Sequence, residues 1–235
     1  MCKRCRQQSA TTRRQANYDM SNSESNVPKA VVNRLSLYLR ELQHIERSGK
    51  KTISSTNLGR RLGITAAQVR KDFTYFGQFG YPGIGYRCEE LIREIRRILG
   101  TDREWSVALV GCGNLGQALL GYRGFEKQGF RVVAAFDVDP AIVGTRIEDL
   151  EVFHLDRVAE VANERKIRLA ILAVPASAAA EVVQSLQAAG ITGILNFAPV
   201  TLKLNLPLTV SVQEVDLAME LEQLAFAVVK QGERQ

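Results

Sequence analysis

The 235-residue chain holds only two histidines, His44 and His154, and four cysteines, Cys2, Cys5, Cys88 and Cys112. Small disulfide scaffolds are far denser in cysteine, so the fold must rest on a packed core. Cys2 and Cys5 form a C-x-x-C pair, but tetrahedral zinc needs two further ligands and the histidines are scattered, which argues against a metal site. Long apolar runs are also lacking: nothing approaches the ~18 apolar residues that a membrane span requires. The opening MCKRCRQQSATTRRQ is basic and polar with no apolar segment behind it, unlike a secretory signal. These absences predict a cytoplasmic protein with no membrane and no metal partner.

Apolar residues make up 46% and charged residues 24%, which suits a globular core, and the length exceeds the ~100–200 residues of one typical domain. Two compact units plus tails are expected. The net charge of +6 is unevenly spread: residues 1–102 carry 19 Lys/Arg against 9 Asp/Glu, and residues 103–235 carry 12 against 16. A basic half followed by an acidic half points to a polyanion partner for the first, because phosphates attract such a surface and release counterions on binding. Residues 1–27 are polar and basic without apolar periodicity and read as a disordered extension.

Pro28 is well placed to open a helix. Val31, Leu35, Tyr38, Leu39, Leu42 and Ile45 then recur at spacings of three and four, giving one apolar stripe that stops near Ser48-Gly49. In KKTISSTNLGRRLGITAAQVRKDFTYFGQFG, an extended Thr52-Ile53 leads to Ser54 and Ser55 as candidate caps of a helix through Leu58 and Leu62. Gly63 turns the chain and Thr65 caps a second helix through Val69, Phe73 and Phe76. Two short helices joined by a glycine turn make a helix-turn-helix. Its second helix leaves Gln68, Arg70, Lys71, Thr74 and Tyr75 free to reach base edges and phosphates. GQFGYPGIGYR reads as a short β-ribbon or wing, and a helix from Glu89 to Leu99 closes a winged helix-turn-helix over residues 28–102. A protein-binding helical domain with a solvated basic face fits the same pattern.

Trp105–Val110 has the look of a buried strand, and GCGNLGQALL follows it at once, opening a helix. In that context Gly111, Gly113 and Gly116 supply the tight turn, the close approach to a pyrophosphate and the close helix-strand packing of a dinucleotide site, with Cys112, Asn114 and Leu115 between them. The next strand, FRVVAAFDVDP, ends at Asp137, whose carboxylate would accept the adenosine ribose hydroxyls and repel a 2′-phosphate. That favours NAD(H) over NADP(H). Further strands in RLAILAVPAS, GITGILNFAPV and LTVSVQEVD alternate with helical stretches such as Ala178–Ala189. They predict a Rossmann-like, doubly wound parallel sheet over residues 103–211, with Val174, Pro175, Asn196, Phe197, Ala198 and Pro199 at the carboxyl ends. Cys112 is a small apolar filler of the turn, although a thiol switch is conceivable there. His154, in LEVFHLDRV, reads as a surface strand edge.

Val212–Lys230 carries Leu217, Leu221, Leu224 and Val228 on one helical face, widened by Val215, Ala218, Ala225 and Val229. Such an apolar terminal helix, within 212–235, either joins two copies or packs on its own subunit. Two functions remain: an NAD-dependent oxidoreductase with an N-terminal helical accessory domain, or a ligand-gated DNA-binding protein. Little chain is left for a substrate-binding half, which favours the second.

In order along the chain, LYLRELQ, AAQVRKDFTYFGQFG, GIGY, VGCGNLGQAL, FDVDP, ILNFAPV and VDLAMELEQLAFA resemble the redox-sensing transcriptional repressors called Rex, over nearly everything from Pro28 to Lys230. The resemblance implies a cytoplasmic homodimer that binds a palindromic double-stranded DNA operator with NAD+ and releases it as NADH rises, its C-terminal helix swapped onto the neighbour. It also implies that Arg70 and Lys71 contact operator, and that Arg40, Tyr122 and Asp216 link the DNA-binding domain, the nicotinamide pocket and the swapped helix. Read from the residues alone, Tyr122 would equally be a core aromatic and Asp216 a charge at a helix start. Tyr81-Pro82 stands where many relatives have basic wing residues, and Leu217 where some have an aromatic.

Overall fold

The structure, a computed structural model, describes residues 27–77, 79–81, 83–202 and 210–232. Nearly all of the basic extension read over 1–27 lies outside them, as do Cys2, Cys5 and Pro82. The chain forms two compact units, the first ending at Leu99 and the second beginning at Gly100.

In the first unit, helix α1 (Lys29–Arg47) starts behind Pro28, and its whole predicted stripe is buried. Strand β1 (Thr52–Ile53) leads to α2 (Ser55–Leu62), and α3 (Ala66–Thr74) follows. Of the two candidate caps, Ser54 caps α2, its hydroxyl accepting from the Asn57 amide at 3.1 Å, while Ser55 is already helical; Thr65 caps α3 in the same way through Gln68. Each cap satisfies an amide that a helix start would otherwise leave unpaired. Phe73, on α3, meets Tyr38, Tyr86 and Phe79 edge-on at 5.3, 5.1 and 5.7 Å, which locks α3 to α1 through ring quadrupoles as well as burial. Phe76 is only half-buried.

The expected ribbon is shorter than its sequence. The Tyr81 amide donates to the Gly85 carbonyl across a tight turn, and only β2 (Tyr86–Arg87) pairs with β1, antiparallel. Gly80, Gly83 and Gly85 all take positive φ, so most of the segment is turn rather than strand. Helix α4 (Cys88–Ile98) begins and ends one residue before the expected Glu89–Leu99.

The second unit is one sheet of seven strands: β3 (Trp105–Val110), β4 (Phe130–Asp137), β5 (Arg146–Ile147), β6 (Leu150–His154), β7 (Leu169–Leu172), β8 (Gly193–Asn196) and β9 (Ser211–Glu214). Their spatial order is β5-β6-β4-β3-β7-β8-β9. Six strands are parallel and only β5 runs antiparallel, at the edge. Numbered along the chain, the parallel six lie in the order 3-2-1-4-5-6, the arrangement whose direction reverses beside the first strand and leaves a crevice there. Helix α5 (Asn114–Leu120) follows β3, α6 (Val158–Glu164) follows β6 and α7 (Ala176–Ala188) follows β7. Alternation along β3 serves two cores: Ala108 and Val110 pack with Val161, Val182 and Leu186, while Val107 and Leu109 pack with Leu120 and Ile171.

LEVFHLDRV contains β6, which lies between β4 and β5, with His154 opposite Asp137 and its side chain still 42% exposed. One reading is corrected. The terminal helix does not start at Val212. Residues 211–214 pair in parallel with β8, and Val212 packs against the core, because the open edge of β8 offers backbone partners that an isolated helix start could not. Helix α8 (Leu217–Gly232) begins behind Asp216, whose carboxylate accepts from the Ala218 and Met219 amides at 2.9 and 3.1 Å. Every described residue of α8 is exposed, Leu221 at 67% and Phe226 at 66%. The helix therefore buries none of its described residues against the sheet of its own unit.

Candidate nucleotide cavity and nucleic-acid face

A cavity of about 670 Å³ opens at the carboxyl ends of β3, β4 and β7, where the strand order reverses. Of the residues expected at a cofactor, Gly111, Gly113, Asn114, Leu115, Asp137, Val174, Pro175, Phe197 and Pro199 line it. The three glycines play distinct parts. Gly111 has φ +93°, and a Cβ there would stand 2.5 Å from the Ala173 carbonyl oxygen; a Cβ at Gly116 would overlap the Gly111 carbonyl oxygen. At Gly113 a Cβ would meet nothing within 4 Å, so the space over the turn is free for a ligand to approach the backbone. Residues and turn thus fit the pyrophosphate of a dinucleotide.

Asp137 does more than face the cavity. One carboxylate oxygen accepts the Cys112 amide at 2.6 Å and the other the Val138 and Asp139 amides at 2.7 and 3.0 Å. The side chain that would meet a ribose therefore also ties the glycine turn to the end of β4. Asp139 and Glu181 join it on the rim, and no Lys or Arg stands among the lining residues. The resulting negative edge disfavours an adenosine carrying a further phosphate. Ile142, Leu155, Ala178 and Val182 add an apolar slot that sequence reasoning missed, since they come from three segments that only the sheet brings together.

Five expected cofactor residues do not line the cavity. Cys112 is wholly buried beneath the turn, and burial, reinforced by the Asp137 charge, pushes its thiol up to about 12. Thiol switching there is disfavoured. Gly116 is buried against the turn, and Asn196 and Ala198 are buried at 1% and 5% exposure. Tyr122, 59% exposed with its ring edge-on to Phe125 at 5.0 Å, is no core aromatic but stands outside the cavity lining.

On the first unit, Ser54, Ser55 and Arg70 converge on a groove of about 480 Å³ bordered by the Tyr81–Gly85 turn, with Arg70 donating to the Ser55 hydroxyl at 3.0 Å. Lys71 is exposed on the same helix and Tyr75 just behind its end, and the Thr74 hydroxyl is tied to the Lys71 carbonyl at 2.7 Å. Gln68 departs from expectation. Its side-chain nitrogen donates to Asp72 at 2.7 Å, which commits that donor to the buried carboxylate. Asp72, which no sequence pattern singled out, has no exposed surface; it accepts Arg34 bidentately at 2.6 and 2.8 Å and the Tyr38 hydroxyl at 2.7 Å. Burial alone would raise its pKa, but those hydrogen bonds outweigh burial and hold it below the ordinary carboxylate value. Arg40 is exposed on α1, in the first unit, whereas Tyr122 and Asp216 belong to the second.

A helix-turn-helix unit followed by a Rossmann-type sheet with a cavity at its switch point defines a helix-turn-helix protein that carries its own nucleotide-type ligand domain. The comparisons agree in both parts: a family model described as a CoA binding domain matches residues 102–200, and one described as a putative DNA-binding protein N-terminus matches residues 26–74. The redox-sensing transcriptional repressor Rex of Desulfitobacterium hafniense is 46% identical over 202 residues, 86% of this chain and 95% of its own. That of Streptomyces coelicolor is 44% identical over 200 residues, 85% of this chain and 77% of its own. The crystal structure of RSP in complex with β-NAD+ and operator DNA superposes with a TM-score of 0.83 at 36% identity, over 89% of this chain and 95% of the other. RSP is also solved with β-NADH, at a TM-score of 0.79 and 34% identity over 89% and 97% of the two chains. The chain belongs to the Rex family of redox-sensing transcriptional repressors.

Proposed function

We propose that this protein is a homodimeric repressor that binds a palindromic DNA operator and reports the NADH/NAD+ ratio, releasing the operator when its cavity holds NADH. One observation carries the reading: a single chain couples a helix-turn-helix face to a dinucleotide-shaped cavity, in a family with a member solved with β-NAD+ and operator DNA together. The protein is a repressor rather than an enzyme, as its relatives are. It acts in the cytoplasm; among the described residues no helix is long and apolar enough to cross a membrane.

The DNA-binding part spans residues 28–102, the cofactor part 103–216, and α8 is the dimerisation helix, the last boundary placed after β9 rather than within it. Gly111, Gly113, Asn114 and Leu115 would hold the pyrophosphate, Asp137 the adenosine ribose, and Val174, Pro175, Phe197 and Pro199 the nicotinamide end. When bound, NAD(H) supplies a nicotinamide ring that is cationic when oxidised and neutral when reduced. Ser54, Ser55, Arg70, Lys71 and Tyr75 meet phosphates and base edges, and Arg40, Tyr122 and Asp216 connect the two functions. The apolar, exposed α8 clasps the second copy, since an apolar face this large is otherwise costly in water.

The switch needs only a difference in NADH affinity between operator-competent and operator-incompetent dimers. Such couplings are typically about 5–150-fold, and they are reciprocal, so operator must weaken NADH binding by the same factor. Titrating operator at full cofactor occupancy across NADH/NAD+ ratios tests the reading. An operator affinity indifferent to that ratio refutes it.

A further inference from the structure

We propose that Asn196 is a positioning residue that couples the cavity wall to the base of α8, rather than a contact to the cofactor; this rests on the reading above. Asn196 closes β8 and is 1% exposed. Its side-chain oxygen accepts the Ala198 amide at 2.9 Å, and its side-chain nitrogen donates to the Ala198 and Val200 carbonyls at 3.2 and 2.9 Å. Those bonds wind residues 196–200 into a tight loop around one buried amide, and the loop presents Phe197 and Pro199 to the cavity. The backbone of the same residue faces the other way. Its carbonyl accepts the Val215 amide at 2.9 Å, one residue before Asp216, which caps α8. A second tie runs parallel to it, the Leu202 amide donating to Glu214 at 3.3 Å.

The cavity wall and the start of α8 are therefore two sides of one residue. A buried side chain whose polar groups are all paired cannot shift alone, because each unmade bond leaves a desolvated donor or acceptor without a partner. Whatever displaces Phe197 and Pro199 must carry the 196–200 loop with it. The displacement reaches Val215 and the helix start through one carbonyl. The direct arithmetic of a population shift then applies to α8: a ligand biases it only by what it gains from the loop's position.

The test uses the full-length protein with NADH as the probe, at concentrations that saturate each variant. In the wild type, hydrogen exchange at the Val215 amide should slow together with that of Ala198 when NADH is added. Slowing confined to Ala198 and the cavity lining overturns the proposal without needing any variant. Asn196→Asp keeps the acceptor for Ala198 but loses both donors. It should leave operator affinity without cofactor within about threefold of wild type, while the NADH response shrinks from the wild-type factor, expected in the ~5–150-fold range, to under about threefold. A variant that binds NADH, melts as the wild type does and responds fully to it also overturns the proposal. Should the wild-type operator affinity ignore NADH while Val215 protection still depends on Asn196, the repressor reading fails and the coupling stands.

Discussion

The buried pair beneath α3 can be dissected one partner at a time. Asp72 is fully buried and takes hydrogen bonds from Arg34, Tyr38 and Gln68, whereas the Arg34 side chain keeps 25% exposure. Replacing Arg34 with methionine leaves a desolvated carboxylate held by two neutral donors. Stripping one partner from a buried pair costs about 3–5 kcal/mol, and because water reaches Arg34 the lower end, about 3 kcal/mol, is expected. Combining Arg34→Met with Asp72→Leu and Tyr38→Phe removes every stranded polar atom and should recover all but about 1 kcal/mol. Urea unfolding followed by far-UV circular dichroism reads the helices of both units, so a transition that tryptophan fluorescence does not share belongs to the first. The single tryptophan, Trp105, sits in β3 and reports the second unit separately by fluorescence. The pH dependence supplies a sign. Asp72 has its folded pKa lowered, so the pair's contribution is complete above the ordinary carboxylate value of about 4 and is lost as pH falls through the lower folded value. Arg34→Met should therefore cost most near neutrality and progressively less in acid. An Arg34→Met variant within about 0.5 kcal/mol of wild type at pH 7, or one whose penalty grows in acid, refutes the reasoning.

Lys71→Ala should weaken operator binding and reduce the slope of log affinity against log salt by about one counterion per subunit; an unaltered slope in salt-dependent titrations removes Lys71 from the phosphates. Asp137→Asn should weaken NADH by roughly 10–100-fold, as loss of charge-assisted bonds to ribose and to the glycine turn predicts, and narrow the gap to NADPH; equal NADH affinity by fluorescence titration would discard both roles. Cys112, buried with its thiol pushed up to about 12, should resist iodoacetamide at pH 8 until the second unit unfolds, which mass spectrometry of the labelled peptide checks. Leu224→Glu, on the exposed apolar face of α8, should shift the dimer towards monomer in sedimentation velocity while leaving the far-UV spectrum of the monomer intact; an undiminished dimer would move the interface elsewhere.

Where one element's own period or chemistry carries the signal, the sequence is legible. The stripe from Val31 to Ile45 is buried along its length, Ser54 and Thr65 cap the helices they precede, and Gly111 and Gly116 occupy positions that exclude a side chain. Asp137 closes β4 at the cavity, as its distance from the glycine turn predicts. The misses share a cause. Gln68 looked free because its helix face is exposed on average, yet a buried carboxylate one turn away captures it. Val212 to Glu214 fit both the strand read in LTVSVQEVD and the helical spacing that runs on to Lys230, and only the open edge of β8 decides for the strand.

Local spacing alone thus established two units, a helix-turn-helix in the first and a dinucleotide turn in the second, because caps, stripes and glycine turns are decided within a few residues of chain. Only tertiary structure placed β6 inside the sheet, assembled the apolar slot from three distant segments, turned Asn196 from the cavity to the loop behind it and left α8 bare. Those outcomes depend on which donors and apolar faces meet across the fold. A one-dimensional pattern holds the residues but not their partners.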